Sequence, residues 1–218
     1  MNLPKLHYIS QGKTLREQLE NIQSACASGA ELVQLRIKNA SKLDILKTAK
    51  EARDITGHFQ TRFIINDHYK IAKEVKADGV HLGKTDASPE EARTHLASWQ
   101  IIGGTANSIQ DCKTLISQQV DYIGLGPYKY TNTKENLSPI IGLNGYLNIL
   151  TELKTKLPVI AIGGITLNDV DRILETGIYG IAASGEITKN FKTISSFHKL
   201  LRKDSAREEQ IWTPNQNK

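Results

Sequence analysis

Cysteine is nearly absent from this 218-residue chain, with only two, and methionine and tryptophan are as scarce at one and two. Cys26 and Cys112 stand far apart in the chain. Two lone thiols make neither a disulfide framework nor a metal knuckle, so an apolar core has to hold the fold, and a reducing cytoplasm is the expected location. Both are read as structural, behaving as small apolar groups. No apolar run is long enough to cross a bilayer, which excludes a membrane partner of the spanning kind. The opening MNLPKLHYIS lacks the order of charged start, apolar stretch and small-residue cleavage site, so no signal peptide is expected. Aromatic residues make up 6% and are not interleaved with basic ones as a base-stacking surface requires. The net charge of +5 is scattered. Its densest patch, Lys199, Arg202 and Lys203, suits the end of a helix. Nucleic acid is therefore not an expected partner, and anionic small molecules fit the charge better.

What the chain does have is alternation. Short apolar runs at 6–10, 32–38, 62–67, 79–83, 101–106, 122–127, 158–164 and 179–185 read as strands. Amphipathic segments lie between them, including TLREQLENIQSACASG, SKLDILKTAKEARDIT, SPEEARTHLASW, YLNILTELKTK, TLNDVDRILETG and TISSFHKLLRK. Ser41 and Ser88 stand where N-caps belong, Pro89 suits a first helical turn, and Gly29 and Gly177 follow helix ends. Eight strands, each followed by a helical or helix-like segment, predict an α/β fold: a single (β/α)₈ TIM barrel over residues 1–204. A doubly wound open sheet is the alternative. Residues 205–218 read as a loosely ordered polar tail. Its Ile211 and Trp212 are expected to pack locally, on the barrel bottom or a neighbouring chain, which leaves a homodimer open.

LVQLRIK, from Leu32 to Lys38, has its faces exchanged. Side chains two apart in a strand share a face, so Gln34, Arg36 and Lys38 would point into the barrel rather than to water. Active sites of such barrels lie at the C-terminal strand ends, and capable residues fall there on seven of the eight strands. Asn66 and Asp67 end the third. Gly83, Lys84, Thr85 and Asp86 follow the fourth. Thr105 and Asn107 end the fifth, and Thr131, Thr133 and Lys134 lie in the long segment 127–142 after the sixth. Gly163, Gly164, Ser184 and Gly185 close the last two. The cations Arg36, Lys38 and Lys134 with the carboxylates Asp67 and Asp86 suggest Mg²⁺ bridging a diphosphate, since Mg²⁺ takes one or two carboxylates plus phosphate oxygens. The glycine pair and Ser184-Gly185 suggest a second, backbone-lined phosphate subsite. Alternatives are an ion-pair layer for the charges, helix capping for Asp67, and a satisfied barrel role for His81. The segment 127–142 reads as a lid that brings Lys134 to the leaving group.

QLRIK, IINDHYKIAKEVKADGVHLGKTD, IIGGTANS, VDYIGLGPYKYTNTKE and PVIAIGGI together resemble the thiamine phosphate synthase family. The resemblance implies a transferase of this barrel fold that joins 4-amino-5-hydroxymethyl-2-methylpyrimidine diphosphate to 4-methyl-5-(2-hydroxyethyl)thiazole phosphate, with Mg²⁺ as cofactor. It implies that Gln34, Arg36, Lys38, Asn66, Thr105 and Lys134 hold the pyrimidine diphosphate and that Asp67 and Asp86 hold Mg²⁺. It places Thr131, Thr133, Gly164, Ser184 and Gly185 at the thiazole phosphate. Arg36, Lys38, Lys134 and Thr105 would carry catalysis by stabilising the departing charge. The chain departs from the family's pattern at Lys84 for Gln, Thr105 for Ser, Asn107 for His, and at Tyr128-Lys129-Tyr130. A thiazole tautomerase of the same barrel needs a histidine just before the lid, where Pro127 stands. A non-enzymatic phosphate sensor would need no carboxylate pair.

Overall fold

The computed structural model describes residues 3–131 and 138–211, with side chains left out for 203–211. Eight parallel strands close into a barrel in sequential order. They are β1 (Leu6–Ile9), β2 (Leu32–Leu35), β3 (Arg62–Asn66), β4 (Gly79–Leu82), β5 (Ile101–Ala106), β6 (Tyr122–Leu125), β7 (Val159–Ile162) and β8 (Gly180–Ala183). The helices are α1 (Leu15–Ala27), α2 (Lys42–His58), α3 (Tyr69–Glu74), α4 (Pro89–His95), α5 (Ile109–Ser117), α6 (Gly142–Leu153), α7 (Val170–Leu174), α8 (Gly185–Lys189) and α9 (Thr193–Ile211). The predicted barrel is the observed one.

Side-chain parity separates two cores. Leu32, Ile64, Ile101, Tyr122, Ile160 and Ala182 fill the barrel interior with Leu3 and Ile9. Val33, Leu35, Phe63, Ile65, Val80, Ile102, Ile123 and Ile181 face outward into the layer shared with the helices. Continuous apolar strands of this kind are what burial on both faces demands. Cys26 and Cys112 are free and buried in that outer layer, as expected.

Caps fix the helix starts. Thr14, Ser41, Ser88 and Ser108 accept from the backbone N–H three residues on, and Pro89 opens α4. Gly29 and Gly177, at φ of 91° and 90°, supply the left-handed turns after α1 and α7. Most strands are shorter than predicted, while β5 keeps the predicted range 101–106. β2 stops at Leu35, so Arg36 and Lys38 stand on the loop beyond it, although Ile37 stays buried on the outer side. One expectation is corrected: α9 continues to Ile211, well inside the stretch read as tail. The physical reason is the helix-forming run SAREEQ, whose residues rank high in propensity apart from its serine. Trp212 lies outside the described residues. Among the described residues no helix is long and apolar enough to cross a membrane.

The barrel floor encloses a histidine. His7 is 1% exposed and its Nε2–H donates to the Pro4 carbonyl at 3.0 Å. Burial, with His81 nearby, lowers its pKa from 6.5 to about 3. Below pH 6.5 the unfolded chain therefore binds a proton that the native one refuses, so stability falls as pH falls toward 3. By pH 4.5, about two units below the free value, His7 withdraws on the order of 3 kcal/mol. Urea unfolding at pH 7 and 4.5 should show a loss of this size that His7→Gln reduces; equal losses in both proteins would refute it.

Candidate functional site

The C-terminal strand ends gather most of the residues singled out above. The Lys38 ammonium lies 2.5 Å from Asp67 Oδ2, and the Asp67 and Asp86 carboxyls are close enough for each to shift the other's ionisation. Asp86 Oδ2 also accepts from the Gly83 N–H at 2.6 Å, which closes the turn after β4. Burial raises the Asp67 pKa, but the bonds from Asp86 and Lys38 and the Lys38 charge outweigh it, so the net shift is downward. Asp86 moves upward, first through burial and then through Asp67. One carboxyl is thus held ionised while its neighbour keeps a proton more readily, the usual result of two acids in contact.

Asp67 does not cap α3. His68 occupies that position without a side-chain cap bond, while Asp67 adopts φ 65° and donates its N–H to the His81 carbonyl at 2.8 Å. A left-handed aspartate costs roughly 1 kcal/mol, and here it turns the carboxylate toward Lys38 and Asp86. Such outliers gather at functional sites.

Gln34 donates through Nε2 to Asn66 Oδ1 at 2.7 Å, which leaves the Asn66 amide as the donor available to a ligand. Arg36 is half-buried, and burial lowers its pKa against the pull of Asp67. Its backbone is pinned on both sides, by the Ser10 hydroxyl at 3.1 Å and by Gln18 Nε2 on its carbonyl at 3.1 Å. Among the described residues its guanidinium has no hydrogen-bonded or ion-pair partner. A half-buried cation of that kind is suited to an anion brought by a ligand.

Thr105 Oγ1 lies 3.0 Å from His81 Nε2, and His81 Nδ1 lies 3.0 Å from the Tyr122 hydroxyl, so His81 is the bonded barrel histidine expected from the sequence. Lys84 is engaged with Asp111 at 2.7 Å rather than with Asp86. Asn107 donates its side-chain amide to the Gly126 carbonyl and so shapes the loop junction.

On the far side of the mouth, Gly163 and Gly164 adopt φ of 97° and 67°. A Cβ on Gly164 would stand 2.5 Å from the Tyr130 carbonyl, so the segment after β6 lies directly against this turn. Tyr128 and Lys129 donate their N–H groups to the Ile162 and Gly163 carbonyls at 2.8 and 3.0 Å. Lys129 Nζ reaches Asp169 at 2.5 Å, and Asp169 in turn accepts from Thr166. Ser184 and Gly185 stand where β8 passes into α8, and the Ser184 hydroxyl approaches Gln11 Oε1 at 3.4 Å. Thr131 is half-buried at the end of the described segment. Thr133 and Lys134 lie outside the described residues. The sequence reading missed Ser10 and Gln11, the contribution of β1. Their signal was position alone, directly after an apolar strand.

A family model described as thiamine monophosphate synthase matches residues 6–187. The chain belongs to that family. A thiamine-phosphate synthase of Flavobacterium johnsoniae is 48% identical over 189 residues, covering 85% of this chain and 89% of the relative. One from Flavobacterium psychrophilum is 46% identical over 203 residues, covering 90% and 98%. The solved structure of a thiamine phosphate pyrophosphorylase from Pyrococcus furiosus superposes with a TM-score of 0.78 at 30% identity, covering 92% of this chain and 96% of that one. In this member of the family, Asp67, Asp86, Arg36, Lys38 and the Gly163-Gly164 turn all lie at the C-terminal end of the barrel.

The glycine turn yields a direct test. Gly164→Ala must accommodate both φ 67° and the Tyr130 carbonyl, so stability should fall by roughly 1–3 kcal/mol. Chemical unfolding measures it, and an unchanged midpoint would show that the turn relaxes freely.

Proposed function

We propose that this chain joins 4-amino-5-hydroxymethyl-2-methylpyrimidine diphosphate to 4-methyl-5-(2-hydroxyethyl)thiazole phosphate, releasing diphosphate and forming thiamine phosphate. The observation that carries the reading is the carboxyl pair Asp67 and Asp86 beside Lys38 and Arg36, whose guanidinium has no hydrogen-bonded or ion-pair partner among the described residues, at one mouth. Two coupled acids, of which Asp67 alone is paired with Lys38, form a donor set that suits a divalent cation. Among the described residues no cluster of three or more His, Cys, Asp or Glu side chains is placed to hold a metal, so the remaining ligands would be phosphate oxygens and water, as Mg²⁺ prefers. Asp67 and Asp86 would hold Mg²⁺, which when bound supplies positive charge to the departing diphosphate.

The chain's own residues do the rest. Gln34, Asn66 and Thr105 orient the pyrimidine diphosphate, and Arg36, Lys38 and Lys134 stabilise negative charge as the carbon–oxygen bond to diphosphate breaks. The ring-stabilised methylene cation is then captured by the thiazole nitrogen, whose lone pair is free, so no general base is required. Thr131 and Thr133, with the backbone of Gly164, Ser184 and Gly185, face the thiazole phosphate. Pro127 occupies the place before the lid where the tautomerase chemistry needs its histidine. Buried free thiols suit a cytoplasmic location, and light scattering would decide whether a homodimer forms.

Diphosphate release should require both substrates and Mg²⁺ and should be lost on chelation. Release independent of Mg²⁺ would remove Asp67 and Asp86 from metal binding. Lys134→Ala should lower kcat by about 10²–10³, with little change in thiazole phosphate affinity. An unchanged kcat would take Lys134 out of the chemistry.

A further inference from the structure

Beneath the mouth, three side chains form a chain of hydrogen bonds, and of these the sequence reading placed only Thr105 in the site. His81, on β4, bonds the Tyr122 hydroxyl through Nδ1 and the Thr105 hydroxyl through Nε2, both at 3.0 Å. The register explains how residues of three strands meet. His81 stands opposite Gly103 on β5, Gly103 stands opposite Tyr122 on β6, and Thr105 stands opposite Gly124. A Cβ on Gly103 would fall 2.1 Å from the Tyr122 ring, and one on Gly124 would fall 2.9 Å from His81 Cε1. These two glycines leave the space that the imidazole and phenol fill.

The chain has a direction. Tyr122 is 1% exposed, and burial, with the charge of Asp121, pushes its hydroxyl pKa upward, so it keeps its proton. A buried O–H needs an acceptor. His81 Nδ1 is the hydrogen-bond partner that the described residues give it. If Nδ1 carried the hydrogen, the Tyr122 proton would be stranded, so Tyr122 donates and Nδ1 accepts. In the neutral ring the hydrogen then sits on Nε2. Nε2–H donates to Thr105 Oγ1, and the proton of Thr105 is left to donate elsewhere. Diphosphate oxygens can only accept.

We propose that His81 is a positioning residue, held by Tyr122 as the Nε2–H tautomer, so that the Thr105 hydroxyl is fixed in advance as a donor toward the diphosphate of the pyrimidine substrate. The inference rests on the reading of Thr105 as substrate-facing. It adds which proton points where, and it assigns Gly103 and Gly124 the task of making room for the group that decides it.

The tautomer can be read directly on the full chain with ¹⁵N-labelled histidine. Long-range proton–nitrogen spectra should show His81 protonated at Nε2 and bare at Nδ1; a hydrogen on Nδ1 overturns the proposal. Tyr122→Phe removes only the donor, and its melting temperature reports whether the fold is intact. It should abolish the tautomer preference and raise KM for the pyrimidine diphosphate roughly three- to tenfold, the worth of one hydrogen bond, with KM for thiazole phosphate unmoved. Equal changes in both KM values would mean a merely structural role and also overturn it. Thr105→Ser should preserve the effect, and in Thr105→Val the added Tyr122→Phe change should have no further consequence. If Thr105→Val binds the pyrimidine diphosphate normally while His81 shows the Nε2–H form, the substrate-facing reading of Thr105 fails and the proposed donor role falls with it; an Nδ1–H form fails the relay alone.

Discussion

Contact between the Asp67 and Asp86 carboxyls is the constraint around which the mouth of this barrel is arranged. Two acids so placed cannot both ionise without a cation. Lys38 meets part of that need, but its side chain is about half exposed, and an ion pair of this exposure contributes about 1 kcal/mol or less. The pair is therefore held weakly enough to exchange its partner. What fixes it in place is backbone geometry: the left-handed turn at Asp67 and the Gly83 N–H on Asp86. The charged groups are positioned by parts of the chain that do not depend on their charge.

That separation follows from the strand parity below. The outward faces of the strands bury their apolar side chains against the helices, and the inward faces fill the floor with Leu32, Ile64, Ile101 and Ile160. Each buried side chain of this size contributes about 1.5–3 kcal/mol. The strand ends are thus held in register by packing that does not involve the site. Polar groups can then occupy the inward positions nearest the mouth, provided that each is bonded to a neighbour, as Gln34 is to Asn66 and His81 is to Tyr122 and Thr105.

The barrel was legible because eight short apolar runs alternate with amphipathic segments, several of which carry helix caps, and this packing leaves little else for such a pattern to form. The exchanged faces of LVQLRIK located the site for the same reason. Three things were not legible. The loop position of Arg36 and Lys38 depends on where β2 stops pairing, which β1 and β3 decide jointly. The αL turn at Asp67 is a backbone state that aspartate adopts without a sequence mark. The direction of the His81 bonds depends on Gly103 lying between His81 and Tyr122 in register, which only the closed sheet reveals.

Two lysines at the mouth, Lys84 and Lys129, are both engaged away from the carboxylate pair. Lys84, two residues before Asp86, is drawn to Asp111 in the first turn of α5. Bonds from Lys84, the Asn107 N–H and Ser108 hold the Asp111 carboxyl ionised despite its burial. Lys129, beside the glycine turn, is drawn to Asp169, which is bonded to Thr166 and raises the lysine's pKa in return. Each added cation therefore fastens one loop at the mouth to the helix or turn beside it rather than competing for Asp67 and Asp86. The consequence is electrostatic. With Lys84 and Lys129 committed, Arg36 is a half-buried cation at the mouth left without a hydrogen-bonded or ion-pair partner among the described residues, and an incoming diphosphate meets a guanidinium whose backbone is already pinned by Ser10 and Gln18.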